Sequence, residues 1–296
     1  MAKTIKVGAI QPEAKFLNSD QFEEKIMALV QDAVGQGAEL LVFPEDVGLW
    51  LEKIDGPRLQ AMVQGPTAAQ MPEFDGWLAD PAIAEEYKET FSTAARTYGV
   101  PIVGGSIYEK QPDGNIYNRS YVFDKDGTIA GHYDKRHLTP EELSYGASES
   151  AAPCAPVKTK DYRIGVCICY DLNFGRTELP PETPQDTDFR KEPYVVEELK
   201  KGRAQIICAG SLGFRRGPDD PPYVPPFHRY SDQPQIRRAQ ETKLAVVRAY
   251  QCGHPMPGVY MAGWTDIVLP DGSPVAEAHP NDWQKELVYV REVPLA

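Results

Sequence analysis

Three side chains could do chemistry together: a thiol, a carboxylate and an ammonium group. Cys169 follows Ile164-Gly165-Val166-Cys167-Ile168, a short apolar run with the β-branched character of a buried strand. A cysteine where such a strand ends can face a cleft while its backbone is held, as a nucleophile requires. Glu45 follows Leu40-Leu41-Val42-Phe43-Pro44, an apolar run stopped by proline. Lys135 lies in His132-Tyr133-Asp134-Lys135-Arg136-His137-Leu138, beyond the strand-like Ser120 to Phe123 and the turn Asp124-Lys125-Asp126-Gly127. Each therefore sits where an extended segment runs out, and in open α/β sheets sites are built at strand ends. A sulfur nucleophile, a proton carrier and a fixed cation are the parts needed for attack on a carbonyl carbon. Taken singly, each is an ordinary core, loop or surface residue.

Positioning these groups takes a framework, and the chain supplies alternating elements. Strand-like runs are expected at 5–10, 39–43, 101–104, 115–123, 129–133, 205–209, 244–249, 259–268 and 287–290. Phe22, Ile26, Val30 and Val34 have helical spacing, and further helices are expected over 82–98, 194–201 and 235–243. Segments 115–123 and 129–133 read as antiparallel neighbours around a turn at Gly127. This βα order implies sheets covered by helices. No Gly/Ser or charge-run linker and no internal repeat divides the 296 residues, so a single domain over 1–296 is expected.

Several motifs resemble those of the nitrilase, or carbon–nitrogen hydrolase, superfamily. Phe43-Pro44-Glu45 is similar to its "F-P-E", Lys135-Arg136-His137-Leu138 to its "K-x-H-L", and Ile168-Cys169-Tyr170-Asp171 to its "I-C-Y-D". Ile5 to Gln11 resembles the opening strand with its Gln-Pro pair. Arg237 to Ala249 is similar to "R-A-x-E-N-x-x-F-V-V-x-A-N", and Gly263 to Pro274 to "G-x-S-x-I-x-x-P-x-G". The resemblance runs in order over almost the whole chain. It implies an α/β fold, a four-layer α-β-β-α sandwich of two mixed sheets. It also implies a catalytic set of Glu45, Lys135 and Cys169. An additional glutamate, Glu142 or its neighbour Glu141, would position the lysine and the attacking water. A homodimer or larger assembly is implied too, built on the helix at 194–201 and the tail after Trp283.

In amide hydrolysis by such a set, Cys169 would carry the acyl group as a thioester while Glu45 served as base and then as acid. Lys135 would lower the thiol pKa and, with the backbone N–H of Tyr170, hold the oxyanion. Tyr170 and Trp50, the latter five residues past Glu45, are the candidate substrate contacts. Members acting on nitriles carry "C-W-E" at the nucleophile; Cys169-Tyr170-Asp171 looks like the amidase and carbamoylase branches. A small linear amide or N-carbamoyl compound is thus the expected substrate. Nitrile hydrolysis and N-acyl transfer to an amine are the alternatives.

Departures from the family pattern bear on the pocket. Gly175-Arg176 stands where the family has Pro-Glu, and Ala249-Tyr250-Gln251 where relatives often have Asn after the Ala. A stretch rich in Pro, Asp and Glu, Thr177 to Glu192, lengthens one connection, and Leu212 to Pro234 carries Tyr223, Phe227, His228 and Tyr230. A partly aromatic pocket is expected.

Bulk properties narrow the classes. A formal charge of −12 argues against nucleic acid or an anionic membrane as partner. No apolar stretch approaches a membrane span and nothing near the N-terminus resembles a signal peptide, so a cytoplasmic protein is expected. The five cysteines lack framework spacing. Cys167 and Cys169 are expected to point to opposite faces and not to pair. No metal is expected, because the Cys and His spacings lack a ligand pattern, and no cofactor, because phosphate-binding glycine motifs are absent.

Overall fold

The computed structural model describes residues 3–51, 79–144, 146–175, 191–215, 234–277 and 282–296. It begins with strand β1 (Thr4–Gln11), helix α1 (Ser19–Gly35) and β2 (Leu40–Val42), then helix α2 (Pro81–Tyr98) and the short β3 (Ile102–Val103). Next come β4 (Ile107–Lys110), β5 (Ile116–Phe123), β6 (Ile129–Asp134) and the one-turn helix α3 (Pro140–Ser144). A second series follows: β7 (Val157–Lys158), β8 (Arg163–Ile168), helix α4 (Val195–Lys201), β9 (Ile206–Ser211), β10 (Phe214–Arg215), helix α5 (Pro234–Thr242) and β11 (Val246–Tyr250). The chain closes with β12 (Tyr260–Met261), β13 (Asp266–Val268), β14 (Pro274–Glu277) and β15 (Leu287–Pro294).

Two mixed sheets result. One has the order β15-β1-β2-β3-β5-β4, with β6 on the free side of β5; the other runs β14-β13-β11-β9-β8-β7. β1, β2 and β3 are parallel, as are β8, β9 and β11, while the outer strands join antiparallel. Alternation assigns each side chain its layer. Ile5, Val7, Ala9, Leu40 and Val42 join Val166, Ile168 and Val247 in the core that contains the contact between the sheets. Ile10, Leu41 and Phe43 point the other way, against α1 and α2. The helices α4 and α5 cover the second sheet through Val195, Val196, Leu199, Ile236 and Ala239. This is the four-layer α-β-β-α arrangement the motifs implied.

Local sequence explains the helices. Asn18 accepts from the Gln21 backbone while the Gln21 side chain accepts from the Asn18 backbone, a reciprocal cap at the start of α1. Phe22, Ile26, Leu29, Val30 and Ala33 then form one buried stripe. Asp80 accepts from Ala82 N and Pro81 takes the first position of α2. Among the described residues no helix is long and apolar enough to cross a membrane.

One expected element is divided. The run 259–268 forms β12, which pairs with β10 in a separate two-stranded antiparallel sheet, and β13, which belongs to the second mixed sheet. Gly263 lies between them at φ 59°, and a Cβ there would come within 2.4 Å of Trp283 Cα, so the backbone turns under Trp283 instead of continuing straight. The short strands β4, β7, β10 and β14 and the helix α3 were not expected, being too brief to show a period. Most of 177–192, and Tyr223, Phe227, His228 and Tyr230, lie outside the described residues.

Candidate active site

Glu45 sits just beyond β2 in a tight turn. Asp46 takes φ 60°, and its backbone N–H donates to Ser106 Oγ at 3.0 Å. From the opposite sheet, β9 passes so close that a Cβ on Gly210 would lie 2.9 Å from Glu45 N. Only glycine fits there without displacing the turn. Gln251 adds a third tie, donating from Nε2 to Glu45 O at 2.6 Å while its Oε1 accepts from Trp50 Nε1 at 3.0 Å.

Lys135 follows β6 and is buried to 1% exposure. Its Nζ lies 2.7 Å from Glu45 Oε1 and 2.6 Å from Glu142 Oε2. Asn118, on β5, bridges the same carboxylates: its Nδ2 donates to Glu45 Oε1 at 2.9 Å and to Glu142 Oε1 at 2.8 Å. Tyr108 OH donates to Glu142 Oε1 at 3.2 Å and Thr139 N to Glu142 Oε2 at 2.9 Å. Of the two neighbours, Glu142 is buried against the lysine and Glu141 is exposed.

Cys169 is where the expectation about faces needs correcting. Residues two apart in a continuous strand share a face, so alternation does not separate Cys167 from Cys169. What separates them is the end of β8 at Ile168. Cys169 takes φ 42° and starts a 3₁₀ turn, Cys169–Asn173, while Cys167 stays in the core. A non-glycine residue in this left-handed region is strained, and such strain concentrates at functional sites. Cys169 Sγ donates to Leu212 O at 3.4 Å, and Glu45 lies near enough for the charges of the two groups to interact.

A single carboxylate joins the two strand ends. Asp171 Oδ2 accepts from Ile168 N at 3.0 Å and Tyr133 OH at 2.8 Å, and its Oδ1 accepts from His137 N at 2.9 Å. The cysteine turn in one sheet and the lysine segment in the other thus share one acceptor. Burial pushes the Asp171 carboxyl up to about 7.

The electrostatics follow from one cation among buried carboxylates. Burial raises the Glu45 carboxyl, Lys135 opposes that, and Glu142 adds to it. Burial alone would pull the Lys135 ammonium down, but Glu142 and Glu45 hold it well above its ordinary value. For Cys169 burial dominates, Glu45 reinforces it, and Lys135 only partly offsets them, so the thiol pKa is raised. The expectation that Lys135 lowers it gives the sign of that one interaction but not the net direction. The thiol is protonated at rest beside a carboxylate that can take its proton.

Glu45, Lys135, Glu142, Cys169, Trp50 and Gln251 line one cavity of about 280 Å³. Tyr170 does not; it lines a neighbouring cavity that also borders Cys169. Asn118, Tyr108 and Ser106 escaped the sequence reading, and Gln251 stood out there only as a departure from the family pattern. A usable signal was present for Asn118, a lone amide in the otherwise strand-like Ile116 to Phe123. Among the described residues no group of three His, Cys, Asp or Glu side chains could hold a metal ion.

A family model described as carbon-nitrogen hydrolase matches residues 6–180. The chain belongs to the carbon–nitrogen hydrolase family. It is 29% identical over 304 residues to "Omega-amidase NIT2-A" of Xenopus laevis, covering 99% of this chain and 92% of that protein. For the other curated relatives it matches, the chain spans about half their length, between 30% and 63%. Among solved structures, Saccharomyces cerevisiae Nit3, described as a member of branch 10 of the nitrilase superfamily, superposes with a TM-score of 0.71 at 20% identity, covering 99% of this chain and 90% of that one. A mutant of the amidase from Nesterenkonia sp. AN1, with acrylamide added at its active site cysteine, gives 0.65 at 18% identity, covering 97% and 92%. At these identities the structural matches speak for the fold, which this family member shares.

Proposed function

We propose that the chain is an amidohydrolase that cleaves a small linear amide or N-carbamoyl compound through a thioester on Cys169. The observation that carries this is the Lys135 ammonium, clasped by Glu45 and Glu142 in the cavity that Cys169 borders. As sulfur attacks the carbonyl carbon, Glu45 takes the thiol proton and a carbon–sulfur bond forms. The oxyanion is held by Lys135 Nζ and the Tyr170 backbone N–H. Glu45 then returns its proton to the departing nitrogen as the carbon–nitrogen bond breaks. Water, deprotonated by Glu45 and oriented by Glu142, attacks the thioester; the carbon–sulfur bond breaks and the proton returns to sulfur. The ω-amidase name of the Xenopus relative and the cysteine adduct of the Nesterenkonia amidase support the reading.

Tyr170-Asp171 after the nucleophile favours amides over nitriles. A nitrile would give a thioimidate whose nitrogen must be protonated and expelled, a different demand on the groups around Cys169. Matched amide and nitrile pairs, assayed for ammonia release, are expected to show higher kcat/KM for the amide throughout. A higher value for the nitriles would reverse the assignment.

The reading extends to the whole chain as one domain in the cytoplasm, acting on a small molecule and not on nucleic acid or membranes. Pairing of β15 with β1, which brings the last strand onto the first, supports the single domain. We also infer a homodimer or larger oligomer. The tail after Trp283 folds back onto its own chain as β15, which leaves α4 as the element to carry the contact. Light scattering at micromolar concentration is expected to give at least twice the 32.9 kDa of one chain; a monomer would remove the inference.

A further inference from the structure

Cys169 borders a second cavity, of about 320 Å³, on the side of α5 and β11. Thr139, Glu141 and Leu212 line both cavities, so the two meet at the sulfur. The first holds every group assigned to proton transfer and to the oxyanion side chain. A thiol attacking an amide needs the acyl chain and the departing nitrogen on different sides, and the second cavity is the space left for the acyl chain. We propose that this second cavity is the acyl subsite and that it selects a neutral aromatic group over a carboxylate. The proposal rests on the amidohydrolase reading above.

The walls favour a ring. Tyr170, Tyr250 and Trp264 contribute aromatic faces, with Leu172, Leu212 and Ala262 between them. Flat apolar surfaces of this kind take another ring by stacking or edge contact. The charges disfavour an anion. Among the described lining residues only Arg248 and Glu141 are ionisable to a full charge near neutrality. Arg248 is already committed: its Nε and Nη2 donate to Asp266 at 3.2 and 2.6 Å. Its guanidinium carbon lies 5.0 Å from the Tyr250 ring centre and 6.0 Å from that of Trp264. With Arg248 and Asp266 cancelling, Glu141 leaves the cavity net negative, and Glu277 lies near enough to Asp266 for their charges to interact. A substrate carboxylate would have to draw Arg248 away and leave Asp266, 2% exposed, as an uncompensated buried charge. A neutral ring asks for no such exchange.

Binding and turnover separate this proposal from the function it rests on. Calorimetry on the Cys169→Ala protein compares 3-phenylpropanamide with succinamate, the monoamide of butanedioic acid. The aromatic amide is expected to bind at least about tenfold tighter, and Trp264→Ala added to that protein should weaken it by about tenfold, the scale of a lost aromatic contact. Trp264→Leu, which keeps apolar bulk, guards against misfolding and is expected to weaken it in the same direction. Equal or tighter binding of succinamate, or aromatic binding unmoved in both variants, overturns the proposal while leaving the amidohydrolase reading in place. Absence of ammonia release from any amide by the native protein would remove that reading, and the acyl assignment with it.

Discussion

Cys169→Ala is expected to abolish turnover, lowering kcat by more than about 10⁴-fold, the scale for deleting a covalent nucleophile, while circular dichroism stays unchanged. Cys169 is outside the regular strand and only partly buried, so removing its sulfur leaves no void in the sheet. Cys167→Ala should do the reverse. That side chain is fully buried in the core, and its loss costs stability while leaving the reacting groups in place. Peptide mass spectrometry of protein trapped with an acyl donor checks the assignment directly. An adduct on Cys167 or Cys154 would end it.

Glu45→Gln and Lys135→Ala are each expected to reduce kcat by at least about 100-fold, as befits a lost proton carrier or oxyanion partner. The two should differ in pH behaviour. Glu45 must be ionised to accept the thiol proton, and burial raises its pKa. Activity of the native protein should therefore fall on the acid side at a higher pH than an ordinary carboxylate would give. The Gln variant's residual rate should lack that limb. Lys135→Ala leaves Glu45 and Glu142 facing each other without their shared cation. Lys135 is the charge that opposes the rise at Glu45 and Glu142 adds to that rise, so without the cation the acid limb should move to still higher pH. Stopped-assay pH–rate profiles test both, and near-normal rates in Lys135→Ala would refute the oxyanion role.

Much of this arrangement was legible because it depends on short motifs at strand ends. Pro44 stops β2, Ile168 ends β8, and the residues that follow have nowhere to go but the rim shared by the two sheets. Which glutamate accompanies Lys135 was not legible, because a one-turn helix has too few residues to show a buried face. The contacts of Asn118 and Gln251 with Glu45 were invisible for a different reason. Their roles arise only when β5 and the segment after β11 are brought beside Glu45, across separations of 73 and 206 residues. The direction of the Cys169 shift was also out of reach, since it is decided by how far the folded site strips water from the sulfur and not by which charged residues the chain contains.

The Asp171 carboxylate has a consequence for how such a protein can drift. Asp171 ties the backbone at Ile168 to the backbone at His137, so the cysteine turn and the lysine segment are joined by a polar link as well as by apolar packing between the sheets. Volume-conserving exchanges in that interior are commonly tolerated. They can accumulate while the hydrogen-bonded residues at the rim stay in register, so the interior is free to diverge over generations.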